Sequence, residues 1–405
     1  MTMARNDIRQ NPDENFIEEI RKKYPTEKEI DRILTRKMYR RGGPAYEPVS
    51  LEQMIAGTEK LIASKYSGDF QVRNPRWLTG GASKIQMIFE FDAPGFSEDG
   101  KPVSMVLRME PSESVVETSR LREFEAIQAV RDFIPAPPCY WIDSEGDFLP
   151  YPALIYGFAD GVVKPSKVIS KQVSGIGINF GPELRQRLAP EFIGQMAAFH
   201  TLDASKLEQL TSFDRPVIGS TDAVMKHINW WRRVWEEDRG EDVPLMDIAY
   251  NWLVKNAPPI ETLSLVHGDC RSGNFLFNEE TAKITAWLDW ELSLLGDRHQ
   301  DIAWATSAPY RHLSEDGKKI LVCGMLPMEE FVGMYEDFSG LKVDQDRLKY
   351  YQILNNFMSA SICLGTGYRV AKGAKTHQDV VVTSLSMISY FVLEQLRKDL
   401  SEVTA

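Results

Sequence analysis

Residues 263–277 read Leu-Ser-Leu-Val-His-Gly-Asp-Cys-Arg-Ser-Gly-Asn-Phe-Leu-Phe. Leu263, Leu265 and Val266 make a short apolar run bounded by the turn-prone pair Gly268-Asp269, and a second run starts at Phe275. Residues 267–274 are therefore expected to form a loop between two short strands. After Asn278-Glu279-Glu280, Ile284, Ala286 and Leu288 alternate with Thr285, Trp287 and Asp289, the pattern of a strand that folds back as a hairpin. Asp269, Asn274 and Asp289 would then stand together at one end of one small sheet.

Taken singly, Asp269 is a turn residue and Asn274 a loop amide, since both types favour turns through local hydrogen bonds. Taken together they are the groups that phosphoryl transfer from ATP requires. One carboxylate must orient the acceptor hydroxyl and take its proton, while an amide and a second carboxylate hold the Mg2+ that neutralises charge on the transferring phosphate. Asp269 suits the first role, and Asn274 and Asp289 the second. The spacing is that of a kinase catalytic loop, with His-Gly-Asp in place of His-Arg-Asp and Asp289-Trp290-Glu291 in place of Asp-Phe-Gly.

On these residues the chain resembles the aminoglycoside phosphotransferase and choline kinase superfamily, whose loop reads His-Gly-Asp-x-x-x-x-Asn. The segment Gly296-Asp297-Arg298-His299-Gln300-Asp301-Ile302-Ala303 resembles the one that follows the metal-binding Asp in that family. Within it the chain is most similar to the branch fused to acyl-CoA dehydrogenases in animals and free-standing in bacteria. The resemblance implies an α+β, protein-kinase-like two-lobed fold, with a small β-rich N-lobe and a larger, mainly helical C-lobe. It implies ATP and Mg2+ as cofactors, Asp269 as the catalytic residue, and Asn274 and Asp289 on the metal. It places Gly80, Gly81 and Ser83 at the nucleotide phosphates, Arg108 where kinases carry Lys, and Glu123 as its helix partner. Ile155, Tyr156 and Phe158 fall in the hinge beside adenine. The acceptor implied is a small-molecule hydroxyl, on a hydroxyacyl-CoA if the dehydrogenase-fused branch is the right relative and on an aminoglycoside-like compound otherwise. For a pantetheine thioester, Arg232, Arg233 and Arg369 are the candidate basic residues at the cleft mouth.

Several neighbours carry two readings each. Arg271 is a phosphate or acceptor contact, or a solvated arginine. Glu291 reaches a second ion or faces water, and Lys84 reaches a phosphate or points to solvent. His267 is expected to hold the loop through backbone hydrogen bonds, and Asp301 to brace it. Cys270 is expected to be a small buried filler.

Composition narrows the setting. The chain has 405 residues, 47 Lys and Arg against 58 Asp and Glu, and a formal net charge of -11, which disfavours nucleic acid or an anionic membrane as partner. Its length suits two lobes around a cleft plus an extension. Cys139, Cys270, Cys323 and Cys363 show no paired spacing, against both a zinc site and a disulfide framework. With no signal peptide or membrane span in the sequence, a cytoplasmic monomer or homodimer is expected.

Read in order, residues 1–65 form a helical extension, with a break at Pro25 and a cap at Ser50. Residues 66–158 form the nucleotide-binding N-lobe, in which 72–78, 85–91 and 103–109 are strands and 116–132 a helix. Residues 159–405 form the helical C-lobe. There Trp230, Trp231 and Trp235 with Arg232 and Arg233 suggest a helix packed on one face and basic on the other, and the helices after residue 328 are expected to wall the acceptor pocket. The rival reading from another class is a catalytically silent nucleotide-binding scaffold, supported by Arg108 in place of Lys. A protein kinase is disfavoured because Asp-Trp-Glu runs straight to Gly-Asp with no long activation loop.

Overall fold

The computed structural model describes residues 7–43, 47–78, 84–167, 177–373 and 379–404. Five strands rich in branched and aromatic residues build the N-lobe sheet: β1 (Gln71–Trp77), β2 (Ile85–Asp92), β3 (Val103–Met109), β4 (Cys139–Asp143) and β5 (Ala153–Gly157). All pairings are antiparallel, in the order β1-β2-β3-β5-β4, so β3 is central. Three helices precede the sheet, α1 (Glu14–Lys23), α2 (Lys28–Arg40) and α3 (Leu51–Lys65). Ser50 and Gln53 cap α3 reciprocally, satisfying two amides that would otherwise lack partners. The side chains of Met54, Leu61 and Ile62 on α3 pack with Met87, Phe89 and Leu107 of the sheet. Helices α1 and α2 contact the C-lobe instead, so residues before β1 serve both lobes. Between β3 and β4 lies α4 (Arg120–Val130), capped by Ser119; residues 116–118, expected as helix, precede that cap.

The C-lobe continues with α5 (Pro182–His200), α6 (Ala204–Leu207), α7 (Asp222–Asp238) and α8 (Pro244–Lys255). Then come four short strands, β6 (Ser264–Val266), β7 (Phe275–Asn278), β8 (Lys283–Trp287) and β9 (Leu294–Gly296). Helices α9 (His299–Ala305), α10 (Met328–Ser339), α11 (Gln345–Ala360), α12 (Gly367–Gly373) and α13 (Asp379–Thr404) complete it, with a π-helical segment at Ser361–Thr366. One large core joins α5, α7, α9, α10 and α11 around Phe192, Phe199, Trp287 and Trp290.

The four short strands do not form one sheet. β6 pairs with β9, and β7 pairs with β8 as the expected hairpin. The cause lies in residues 289–292, where Asp289 takes a left-handed conformation (φ 61°, ψ 46°) and a 3-10 turn follows. That turn carries the chain back so that β9, rather than β7, lies beside β6.

The Trp-rich helix also differs from expectation. Arg232 and Arg233 are buried on α7, where Arg233 bonds Glu237 (2.7 Å), Asp31 and Thr35 (2.9 Å), and Arg232 pairs with Glu236 and with Asp247 (2.6 Å). A guanidinium can be buried when carboxylates surround it, and here both arginines lie where the first two helices meet α7. Arg369 is likewise enclosed against Glu113 and Asp238. None of the three borders the cleft.

Candidate active site

The loop from 267 to 274 is held from below. Asp301, on the first turn of α9, accepts from the backbone amides of His267 (2.7 Å) and Gly268 (2.9 Å). It is also bonded to His200 Nε2 (3.0 Å), whose Nδ1 meets the Tyr335 hydroxyl at 2.9 Å. Burial lowers the proton affinity of His200, against the opposing pull of Asp301, which keeps the ring as a neutral bridge. His267 Nε2 lies 2.9 Å from the Leu288 carbonyl, and its Nδ1 accepts from the Asp269 amide at 3.2 Å. His267 and Asp301 are thus the braces the sequence suggested. Gly268 has φ +83° and sits against the Leu292 carbonyl, where any Cβ would collide with backbone.

Asp269 is pinned on both oxygens. Oδ1 accepts from Trp304 Nε1 (2.6 Å) and Arg271 Nε (2.9 Å), while Oδ2 accepts from Asn274 Nδ2 (2.6 Å). Asn274 Nδ2 also donates to the Asp269 carbonyl at 2.9 Å, and the Asn274 carbonyl accepts from the Leu288 amide at 2.8 Å. The pair Asp269 and Asn274 is therefore tied to the residue before Asp289. Arg271 is partly exposed but held in place: besides its bond to Asp269, its guanidinium lies over the Tyr310 ring at 5.5 Å. Trp304 and Tyr310 were not singled out from the sequence. The signal for Trp304 was its place three residues after Asp301, on the same face of a short helix.

Arg108 reaches the site from the centre of the sheet. It is 4% exposed, and its Nη1 lies 2.5 Å from Asp289 Oδ1 and 3.2 Å from Glu123 Oε1. Glu123, in the first turn of α4, is thus the partner that the resemblance implied. Nη2 lies 3.4 Å from Glu291, which also binds Lys84 (3.1 Å) and Arg120 (2.9 Å). Lys84 in turn meets the Ser114 hydroxyl at 3.1 Å. Lys84 and Glu291 therefore take neither of the roles read for them; each lies inside a buried ion network. Burial raises the Glu291 carboxyl, but Lys84, Arg108 and Arg120 outweigh it and hold the group well below the usual carboxylate range.

These residues open on a cleft of about 1080 Å3 between sheet and helices. Val106, Tyr156 and Phe158 face Leu276 and Leu288 at its sheet end; Ile155 is buried in the N-lobe core instead. The helical end, beyond Asp269, is walled by Tyr310, Ile362, Cys363, Ile388 and Val392; of the helices after residue 328, α10 contributes no lining residue among the described ones. The segment after β5 is fastened to the β7–β8 hairpin: Val162 and Phe277 exchange backbone hydrogen bonds of 3.0 Å, and Thr285 Oγ1 donates to the Asp160 carbonyl at 2.5 Å. Gly80, Gly81 and Ser83 lie outside the described residues. All four cysteines are free and buried. Among the described residues no helix is long and apolar enough to cross a membrane, and no three His, Cys, Asp or Glu side chains converge as a metal set.

A model of the phosphotransferase enzyme family (APH) matches residues 96–318, over half of the chain. The chain belongs to this phosphotransferase family. Acyl-CoA dehydrogenase family member 10 of Mus musculus is 26% identical over 281 residues, covering 66% of the phosphotransferase chain and 25% of that protein. The chain therefore spans about a quarter of the length of that relative. Among solved structures, the phosphotransferase resembles a putative aminoglycoside phosphotransferase from Ralstonia eutropha, with TM-score 0.60, 20% identity, and coverage of 87% of this chain and 98% of the other. It also resembles a thermostable mutant of an aminoglycoside phosphotransferase in ternary complex with ADP and hygromycin B, with TM-score 0.52, 16% identity, and coverage of 86% and 99%. Both likenesses support the two-lobed kinase-like fold.

Proposed function

We propose that this phosphotransferase moves the γ-phosphate of ATP to the hydroxyl of a small molecule whose reacting end is apolar. The observation that carries the reading is the pinned Asp269, set beside Asn274 and facing an aliphatic and aromatic pocket. Asp269 would orient the acceptor hydroxyl and receive its proton. Three donors fix the carboxylate, so its first contribution is alignment of the attacking oxygen.

Asn274 and Asp289 fit a magnesium ion. Both offer hard oxygen donors, and Mg2+ is typically held by one or two carboxylates together with substrate phosphates and water. The Asn274 amide nitrogen is committed to Asp269, which leaves its oxygen to face away from that carboxylate. The Asp289 side chain is 40% exposed. When bound, the metal would supply charge neutralisation on the transferring phosphate. Arg108 would grip phosphate oxygens bidentately from the sheet side, with Glu123 holding it. Tyr156 and Phe158 would flank the base of the nucleotide.

The apolar helical end favours a hydroxyl on a hydroxyacyl-like chain over a polycationic aminoglycoside. A polycation would need free carboxylates there, whereas Asp269, Asp289 and Glu291 are all engaged by arginines. The deciding experiment is ADP release from MgATP across hydroxyacyl thioesters, aminoglycosides, choline and homoserine, with Asp269→Asn as control. Turnover confined to the hydroxyacyl class and lost in the control is expected. The scaffold reading, favoured by the Arg108 clamp on Asp289, predicts tight Mg-dependent ATP binding and no turnover with any acceptor.

A further inference from the structure

Past the helical end of the cleft lies a second cavity of about 260 Å3. It adjoins the first, since Trp304, Pro309, Tyr310, Ser359 and Val392 wall both. The lining changes character across that wall. On the cleft side stand Ile362, Cys363 and Ile388, and on the far side Arg311, Lys349, Gln352, Asn356 and Gln395.

The charges in the far cavity are unevenly satisfied. Asp399 accepts from Lys349 (2.8 Å), Asn356 (2.7 Å) and Gln395 (3.2 Å), and Glu402 accepts from Lys349 (2.6 Å). Both carboxylates therefore have their partners. Arg311 gives only its Nε, to the Thr306 carbonyl at 2.9 Å, and makes no ion pair among the described residues. Burial lowers its proton affinity, and Asp399, already held by Lys349, offsets only part of this. A partly buried guanidinium with a free fork is an anchor for a planar or tetrahedral anion.

We propose that this second cavity is a subsite for an anionic arm of the acceptor, a phosphate or a carboxylate, with Arg311 as its anchor. The inference rests on the reading of the helical end as the acceptor side. The acceptor class that fits both cavities is amphipathic. Its hydroxyl lies on an apolar stretch at Asp269, and a polar arm passes over Tyr310 and Pro309 to a negative group at Arg311.

Calorimetric binding of two matched pairs tests this without turnover: phosphopantetheine against pantetheine, and ω-hydroxydecanoate against decanediol. The wild-type chain is expected to bind the anionic member of at least one pair about tenfold more tightly, roughly the worth of one charge-assisted hydrogen bond. Which pair responds distinguishes phosphate from carboxylate. Arg311→Ala should remove the preference and leave MgATP affinity unchanged. Equal binding within both pairs by the wild type, or a preference that survives in Arg311→Ala, would overturn the proposal. Absence of ADP release from every acceptor would count against the kinase reading alone, because the binding ratios remain readable.

Discussion

Arg108 of the central N-lobe strand and Asp289 of the C-lobe form a 2.5 Å ion pair that spans the cleft. The same guanidinium lies within 3.4 Å of Glu123 and Glu291, so one cation serves three carboxylates from different parts of the chain. Arginine can do this because its fork offers several donors in one plane, whereas a lysine ammonium is a point charge.

Replacing Arg108 by Met should therefore cost more than a surface pair. Glu123 and Glu291 would keep their other cations, Arg120 and Lys84, but the buried site would lose its shared charge. A loss of about 3 kcal/mol is expected, the low end for breaking a buried pair, since Asp289 is partly solvated. Urea denaturation measures it, and a change under about 1 kcal/mol would refute the network as described.

Trp304→Phe removes one donor from Asp269 and keeps the aromatic wall. With Arg271 and Asn274 still bonded to the carboxylate, kcat should fall about tenfold, the effect of one hydrogen bond to a charged group. ATP affinity should not move. An unchanged kcat would mean that the indole N–H has no part in positioning Asp269.

Gly268→Ala tests the loop. Its φ of +83° and the adjacent Leu292 carbonyl leave no room for a Cβ. Strain of about 1–3 kcal/mol plus the clash should lower the melting temperature and abolish turnover. Wild-type stability in this variant would show that the turn at Gly268 is not built as described.

His227 provides a pH test. Burial, aided by Arg122, lowers its pKa from 6.5 to about 3. The unfolded chain takes up a proton in that window while the folded chain does not, so stability is lost as pH falls from 6.5 toward 3. At pH 5 the contribution of this one group amounts to at most about 2 kcal/mol. His227→Gln should flatten the slope of unfolding free energy between pH 6.5 and 5. Identical slopes in the two proteins would exclude His227 as the titrating group.

Much of this molecule is legible from local spacing. The His-Gly-Asp loop, the β7–β8 hairpin and the cap at Ser50 follow from short-range chemistry and appear as expected. What escapes is pairing across distance. Nothing near Lys84 marks Glu291 as its partner, because the two are brought together only when the sheet closes on the 3-10 turn after Asp289. The same holds for Arg232 and Arg233. A charged side chain on an aromatic helix reads as solvent-facing until α2 and α8 supply carboxylates to bury it. The pairing of β6 with β9 also turns on a single left-handed residue, and Asp gives only a weak local preference for that conformation.

The fastening of the segment after β5 to the hairpin has a mechanical consequence. Because Val162 bonds Phe277 and Asp160 receives Thr285, the segment 160–162 is on the same side of the joint as the β7–β8 hairpin, with Asn274 and Asp289 at its ends. The cleft thus has one wall fixed to the 267–274 loop and one formed by the sheet, and the ion pairs of Arg108 with Asp289 and of Arg108, Lys84 and Arg120 with Glu291 join them. Any separation of these walls would have to part those ion pairs, whereas the bonds that hold the loop lie within one wall, so the Arg108–Asp289 distance serves as a gauge of how far apart the walls stand.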